Sequence, residues 1–171
     1  IMNVYDHAGI PLGWTLRTTP AADSIIGYQG PTDSLIGFDS TGTAVGLCIR
    51  KTFDNEPYVS YVRDDVAFKK YFIGQTFEEI ASTETDKSPI EGVSGATMTS
   101  QAIAEAIVVA SQSVSERQER QSFVGDLVLR TQNLNAPQWG AVFIMFIGLI
   151  IGYTRLRGHW VGRIVLPLFV L

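Results

Sequence analysis

The pattern of apolar and polar positions in the first half of the chain predicts short, alternating elements. Residues 34–38 and 44–52 are apolar-rich runs separated by the turn-forming residues 39–42. This arrangement predicts a β-hairpin. Residues 58–62 alternate aromatic and β-branched side chains, which predicts another strand, and residues 64–72 predict a short helix.

A clearer helical period follows further along the chain. Ile103, Ile107, Ala110 and Val114 fall at positions i, i+4, i+7 and i+11, so they form one apolar stripe on a helix over residues 101–114. The charged stretch that comes next, SERQER at residues 115–120, predicts a solvated continuation of the same helix.

An apolar run without any charged residue extends over residues 136–153. At about 1.5 Å per helical residue it would span about 27 Å, close to the hydrocarbon thickness of a bilayer, and it therefore predicts a transmembrane helix. Trp139 and Tyr153 lie near its ends, as interfacial aromatic residues do, and Pro137 suits a first helical turn. A buried core helix is the alternative interpretation.

The charges around this run predict an orientation and a continuation. Arg155, Arg157 and Arg163 follow the run, whereas the last basic residue before it is Arg130. The positive-inside rule then places the C-terminal side in the cytoplasm and the N-terminal domain outside it. The apolar residues 164–171 predict the start of a second, truncated transmembrane segment of a longer chain.

Composition limits the classes of function. The chain has 171 residues, 46% of them hydrophobic, which is enough for one domain with a substantial core. Its net charge of -4 gives no reason to expect nucleic acid as a partner. A single cysteine, Cys48, with His7 and His159, can form neither an internal disulfide nor a metal, haem or iron–sulfur centre. Cys48 lies in an apolar stretch and is expected to be a buried small hydrophobe.

Candidate chemistry stands immediately before the long helix, in the sequence EGVSGATMTS at residues 91–100. Glycine and small residues let a backbone approach a phosphate, and the first N–H groups of the next helix form an anion site. The hydroxyls of Ser94, Thr97, Thr99 and Ser100 add donors, and a threonine hydroxyl could carry a phosphoester. From the residues alone this signal is weak, and an ordinary helix cap is the favoured interpretation.

The run Ser94-Gly95-Ala96-Thr97-Met98-Thr99, followed by an amphipathic helix, resembles the flavinylation motif of FMN-binding domains. These domains occur in the C subunit of the sodium-pumping NADH:quinone oxidoreductase, the G subunit of the Rnf complex and the NosR/NirI group. The similarity extends over about residues 18–113, where residues 27–31, residues 35–39, Gly42 and Gly46 are similar to the strands that lead to the site. The order of elements is most similar to the NosR/NirI group.

The resemblance implies a covalently bound FMN. In these families a flavin transferase uses FAD to leave FMN on a threonine through the phosphate, which here implies Thr97, with Thr99 as the alternative acceptor. The implied cofactor-binding residues are Ser94, Gly95, Ala96, Thr97, Met98 and Thr99. One departure is Glu91, because the family usually has Asp three positions before the serine of the motif.

These observations together predict an α+β protein: a small FMN-binding domain with an antiparallel sheet and packed helices, followed by a transmembrane helix. The expected boundaries are 1–17 for an N-terminal extension, 18–115 for the FMN-binding domain, 116–135 for a linker and helix extension, 136–153 for the transmembrane helix and 164–171 for the second segment. Phe53, Tyr58 and Tyr61 could pack against the flavin ring, although ordinary core or surface roles are expected more often.

The resemblance implies electron transfer by FMN on the extracytoplasmic side of the cell membrane, within a larger NosR/NirI-like or Rnf/Nqr-like redox complex. The implied partners are the membrane, the flavin transferase, and other redox subunits or C-terminal iron–sulfur domains. Two alternatives stay open. One is a membrane-anchored sensory or regulatory binding module without covalent flavin, and the other is a domain that binds FMN reversibly.

Overall fold

A four-stranded antiparallel sheet forms the centre of the N-terminal part of the chain. The computed structural model describes residues 1–84, 92–132 and 136–153. The strands are β1 (Met2–Tyr5), β2 (Pro11–Arg17), β3 (Thr32–Asp39) and β4 (Ala44–Thr52), and they lie side by side in sequence order. The predicted hairpin is confirmed as β3 and β4.

The turn of this hairpin is built as its sequence predicts. The Asp39 carboxylate accepts hydrogen bonds from the backbone N–H groups of Thr41 and Thr43, at 2.8 and 3.0 Å. Gly42 has a φ of +83°, a left-handed conformation that glycine adopts without steric cost.

Within the described ranges five helices follow the sheet: α1 (Glu56–Asp64), α2 (Val66–Phe72), α3 (Phe77–Ser82), α4 (Thr97–Gln132) and α5 (Ala136–Tyr153). Helix α2 confirms the helix predicted for residues 64–72. Its N-terminus is capped by Asp65, whose side chain accepts a hydrogen bond from the Phe68 N–H at 2.7 Å. Helix α4 confirms the helix predicted over residues 101–114 and its continuation through residues 115–120.

The strand predicted for residues 58–62 is wrong, because these residues form part of α1. Their alternation was also compatible with a helix, since Val59 and Val62 are three positions apart and are both buried on one helical face. Pro57 and Glu56 in the first turn favour a helix start, because proline there lacks an N–H that would be unpaired anyway.

The hydrophobic core lies between the sheet and the helices. The chain divides into two compact units, Ile1–Arg120 and Gln121–Leu171, and the core belongs to the first. Helix α4 contributes the predicted apolar stripe, in which Ile103, Ile107 and Ala110 are fully buried and Val114 is partly buried. The sheet contributes Leu16, Ile36 and Phe38, and the short helices contribute Val62, Phe68, Phe72, Phe77 and Ile80.

The predicted transmembrane helix is wrong. Residues 136–153 do form a helix, but none of the helices in the described part of the chain is both long and apolar enough to cross a membrane. Gln138 in its first turn is polar, so the uninterrupted apolar stretch begins at Trp139. From residue 139 to 152 it covers roughly 21 Å at about 1.5 Å per residue, whereas the hydrocarbon core is about 30 Å thick. The side chains of Phe143 and Met145 on this helix are exposed.

The expectation of a buried Cys48 is also wrong, because this side chain is exposed. Leu47 and Ile49 on either side of it pack against the core, and successive side chains of a strand point to opposite faces. Cys48 therefore lies on the outer face of β4. Other sequence expectations concern Glu91, Arg155, Arg157, Arg163 and residues 164–171, which lie outside the described residues.

Candidate functional site

The site begins with a turn that leads directly into α4. Gly95 has a φ of +80°, and the Ala96 N–H donates to the Val93 carbonyl at 2.8 Å, which closes the turn. The Ser100 hydroxyl accepts from the Val93 N–H at 2.9 Å and donates to the Thr97 carbonyl at 3.0 Å. This side chain thus ties the turn to the first turn of the helix and fixes where Thr97 stands.

The two candidate threonines have different environments. Thr97 is exposed, and its hydroxyl makes a hydrogen bond of 3.4 Å to the Val93 carbonyl, which is long for a hydroxyl donor. Thr99 is only 1% exposed, and its hydroxyl donates to the Asp54 carboxylate at 2.7 Å. The sequence did not decide which of the two hydroxyls is the acceptor. In the structure Thr97 is exposed to solvent, whereas the Thr99 hydroxyl is bonded to the buried Asp54 carboxylate.

Asp54 joins the first turn of α4 to a loop at residues 27–30, which we call the Tyr28 loop. Besides the Thr99 hydroxyl, its carboxylate accepts hydrogen bonds from the backbone N–H groups of Tyr28, Gln29 and Gly30, at 3.0, 2.6 and 3.2 Å. The Gly27 N–H donates to the Gly30 carbonyl at 3.0 Å and closes the loop.

Charge and burial oppose each other at Asp54. Burial raises the pKa of this carboxyl, but the hydrogen bonds donated by Gln29, Thr99 and the other two groups outweigh burial and lower the pKa below its ordinary value. Asp54 is therefore ionised at neutral pH. A buried carboxylate with four donors is satisfied without a cationic partner.

The Tyr28 loop requires a glycine at position 30, where the loop approaches Phe53. A Cβ at Gly30 would lie 2.7 Å from the Phe53 Cβ, closer than real Cβ atoms come.

The resemblance placed residues 27–31 among strands, but residues 28–30 form bends and not a strand. Asp54 itself was not singled out from the sequence, where an aspartate after a strand resembles many surface residues.

A cavity of about 240 Å³ lies beside this first turn. Its lining consists of Tyr28, Tyr58, Gly95, Ala96, Thr97, Met98 and Thr99. The rings of Tyr28 and Tyr58 meet edge to face, with centroids 5.2 Å apart, and form an aromatic wall. Five of the six predicted cofactor-binding residues thus line one cavity, while Ser94 is exposed in the preceding turn.

The sequence matches the family model described as FMN-binding domain over residues 27–112. This match covers half of the chain and includes the Tyr28 loop, Asp54 and the first turn of α4. The chain belongs to the FMN-binding domain family. Neither the curated proteins nor the solved structures contain a match to it.

The residues of this FMN-binding domain suit the two ends of an FMN molecule. The first N–H groups of α4 and the Thr97 hydroxyl offer donors for a phosphate at a helix N-terminus. The aromatic wall offers a surface for a flat ring. The cavity is smaller than the roughly 300 Å³ at the lower end of ligand pockets, so it would enclose only part of an FMN molecule.

Proposed function

We propose that this FMN-binding domain carries one FMN esterified through its phosphate to Thr97 and that it serves as an electron relay. The observation that carries the proposal is the difference between the two threonines at the cavity. Thr97 presents an exposed hydroxyl at the start of α4, whereas the Thr99 hydroxyl is buried against Asp54. An enzyme that modifies a folded domain needs the accessible oxygen.

The attachment step is a phosphoryl transfer that moves the FMN half of FAD to Thr97. The Thr97 Oγ1 forms a bond to the phosphorus of the FMN half, the pyrophosphate bond of FAD breaks, and AMP leaves while the hydroxyl proton is released. A flavin transferase would catalyse this step. A flavin held by such an ester cannot dissociate during turnover.

Within this site the flavin would supply the redox chemistry, and the protein would supply position and local polarity. The first turn of α4 would hold the phosphate end, and Tyr28 and Tyr58 would contact the ring. Within the described residues, no group of His, Cys, Asp and Glu could hold a metal ion. Partial enclosure of the cofactor favours exchange of electrons with an adjacent partner over a closed catalytic pocket.

The proposal is tested on the chain coexpressed with a flavin transferase. We expect the intact mass to increase by one FMN less one water, and flavin fluorescence to stay with the chain in a denaturing gel. We also expect dithionite to reduce the flavin, with no appreciable steady-state turnover of NADH and quinone. FMN that is lost on denaturation would support reversible binding. A chain that takes up no flavin would support the sensory or regulatory module, and robust turnover would rule out a relay.

We further propose, from the resemblance alone, that the domain works on the extracytoplasmic side of the cell membrane beside NosR/NirI-like or Rnf/Nqr-like redox partners. The membrane, redox subunits and C-terminal iron–sulfur domains are the partners of this proposal. Protease added to intact cells or spheroplasts should then cleave the domain. Protection until the membrane is opened would contradict this location.

A further inference from the structure

Asp54 receives every polar contact that joins the Tyr28 loop to α4 in the described structure of the site. Its carboxylate accepts from three consecutive backbone N–H groups of the loop on one side and from the Thr99 hydroxyl on the other. Residues 54 and 99 are 45 positions apart in sequence, so this contact depends on the tertiary structure.

The Tyr28 loop and the first turn of α4, which Asp54 joins, both contribute residues to the lining of the cavity. The loop supplies Tyr28, half of the aromatic wall, and the first turn of α4 supplies Thr97 and Met98. Tyr28 is itself 51% exposed, and its ring meets the ring of Tyr58 edge to face. The backbone hydrogen bonds at Tyr28 and its neighbours fix the loop from which this ring extends.

We propose that Asp54 is a positioning residue for the flavin: by joining Thr99 to the Tyr28 loop, it holds the aromatic wall at a fixed place relative to Thr97. This inference rests on the proposed function. It assigns Thr99 the role of anchor, and it explains why a second threonine follows the acceptor two positions later. Asp54 itself does not line the cavity, so it acts through the residues that it joins.

Three substitutions test this role in the full chain coexpressed with the flavin transferase. Asp54→Asn keeps the shape but removes the charge and can accept with one oxygen only. Thr99→Val removes the hydroxyl at nearly equal volume, and Thr99→Ser keeps it. We expect Asp54→Asn to slow FMN attachment about tenfold, which is the scale of losing a hydrogen bond to a charged group. We expect Thr99→Val to act in the same direction and Thr99→Ser to stay near the wild-type rate.

A spectroscopic readout separates positioning from loss of stability. An aromatic ring against a flavin quenches its fluorescence, so the attached flavin should become brighter in Asp54→Asn and in Tyr28→Ala. In the double variant the two changes should not add, because Asp54 acts through Tyr28. Asp33→Asn is the matched control. Asp33 is also buried and accepts a hydrogen bond from Arg17 at 2.8 Å, but it does not line the cavity.

The outcomes are distinct for the two proposals. A wild-type chain without covalent FMN would overturn the proposed attachment. The same variants would then be compared by titration with added FMN. In that titration Asp54→Asn should bind FMN about tenfold more weakly than wild type. The positioning role is wrong if Asp54→Asn and Thr99→Val behave like wild type, if Asp33→Asn changes the flavin signals equally, or if the effects of Asp54→Asn and Tyr28→Ala simply add. If Asp54→Asn does not fold, the comparison of Thr99→Val with Thr99→Ser decides.

Discussion

Thr97→Ala is expected to abolish covalent FMN entirely while the domain still folds. The substitution removes the oxygen that would bond to phosphorus, and the alternative acceptor does not replace it, because the Thr99 hydroxyl is buried against Asp54. Thr97 is exposed, so the free energy of unfolding should change by no more than about 0.5 kcal/mol. Intact mass and in-gel fluorescence measure the attachment, and thermal unfolding measures the fold.

Two further variants make the assignment specific. Thr97→Val keeps the branched shape without a hydroxyl and should also lack FMN. Thr99→Ser keeps both the Thr97 hydroxyl and a donor for Asp54 and should retain FMN. A fluorescent band from Thr97→Ala, together with a dark Thr99→Ala, would show that Thr99 is the acceptor.

Ile107→Ala is expected to cause one of the largest losses of stability available in this domain. Ile107 is 0% exposed and belongs to the core stripe of α4. Truncation of a buried isoleucine costs about 2–5 kcal/mol through lost burial and the cavity left behind. Domains of this kind have a free energy of unfolding of about 5–15 kcal/mol, so the loss is a large fraction of it. Denaturant unfolding of the chain measures the change.

The control for this prediction makes the same chemical change at an exposed site. Ile26 is 58% exposed, and Ile26→Ala should shift the free energy of unfolding by about 0.5 kcal/mol or less. Equal losses at both positions would mean that α4 does not pack through Ile107 as the structure has it.

Both the successes and the errors of sequence interpretation have physical causes. Residues 58–62 alternate in a way that suits a strand, yet Pro57 and the spacing of Val59 and Val62 suit a helix equally well, and packing favoured the helix. Cys48 lies in an apolar run, but β4 has two faces, and the side-chain period put Cys48 on the outer one. The lack of charge over residues 136–153 favoured a transmembrane helix, although Gln138 in the first turn makes the apolar part shorter than the helix.

The sequence by itself determined the hairpin, the apolar stripe of α4 and the motif at its start. These features depend on spacings of two to four residues along one element, and a local pattern records such spacings directly. The tertiary structure alone decided that Thr97 is exposed while Thr99 meets Asp54, and that Tyr28 faces the same cavity. Those relations join residues from three separate parts of the chain. They depend on how the sheet, the loop and α4 pack, and no periodicity within one segment encodes that arrangement.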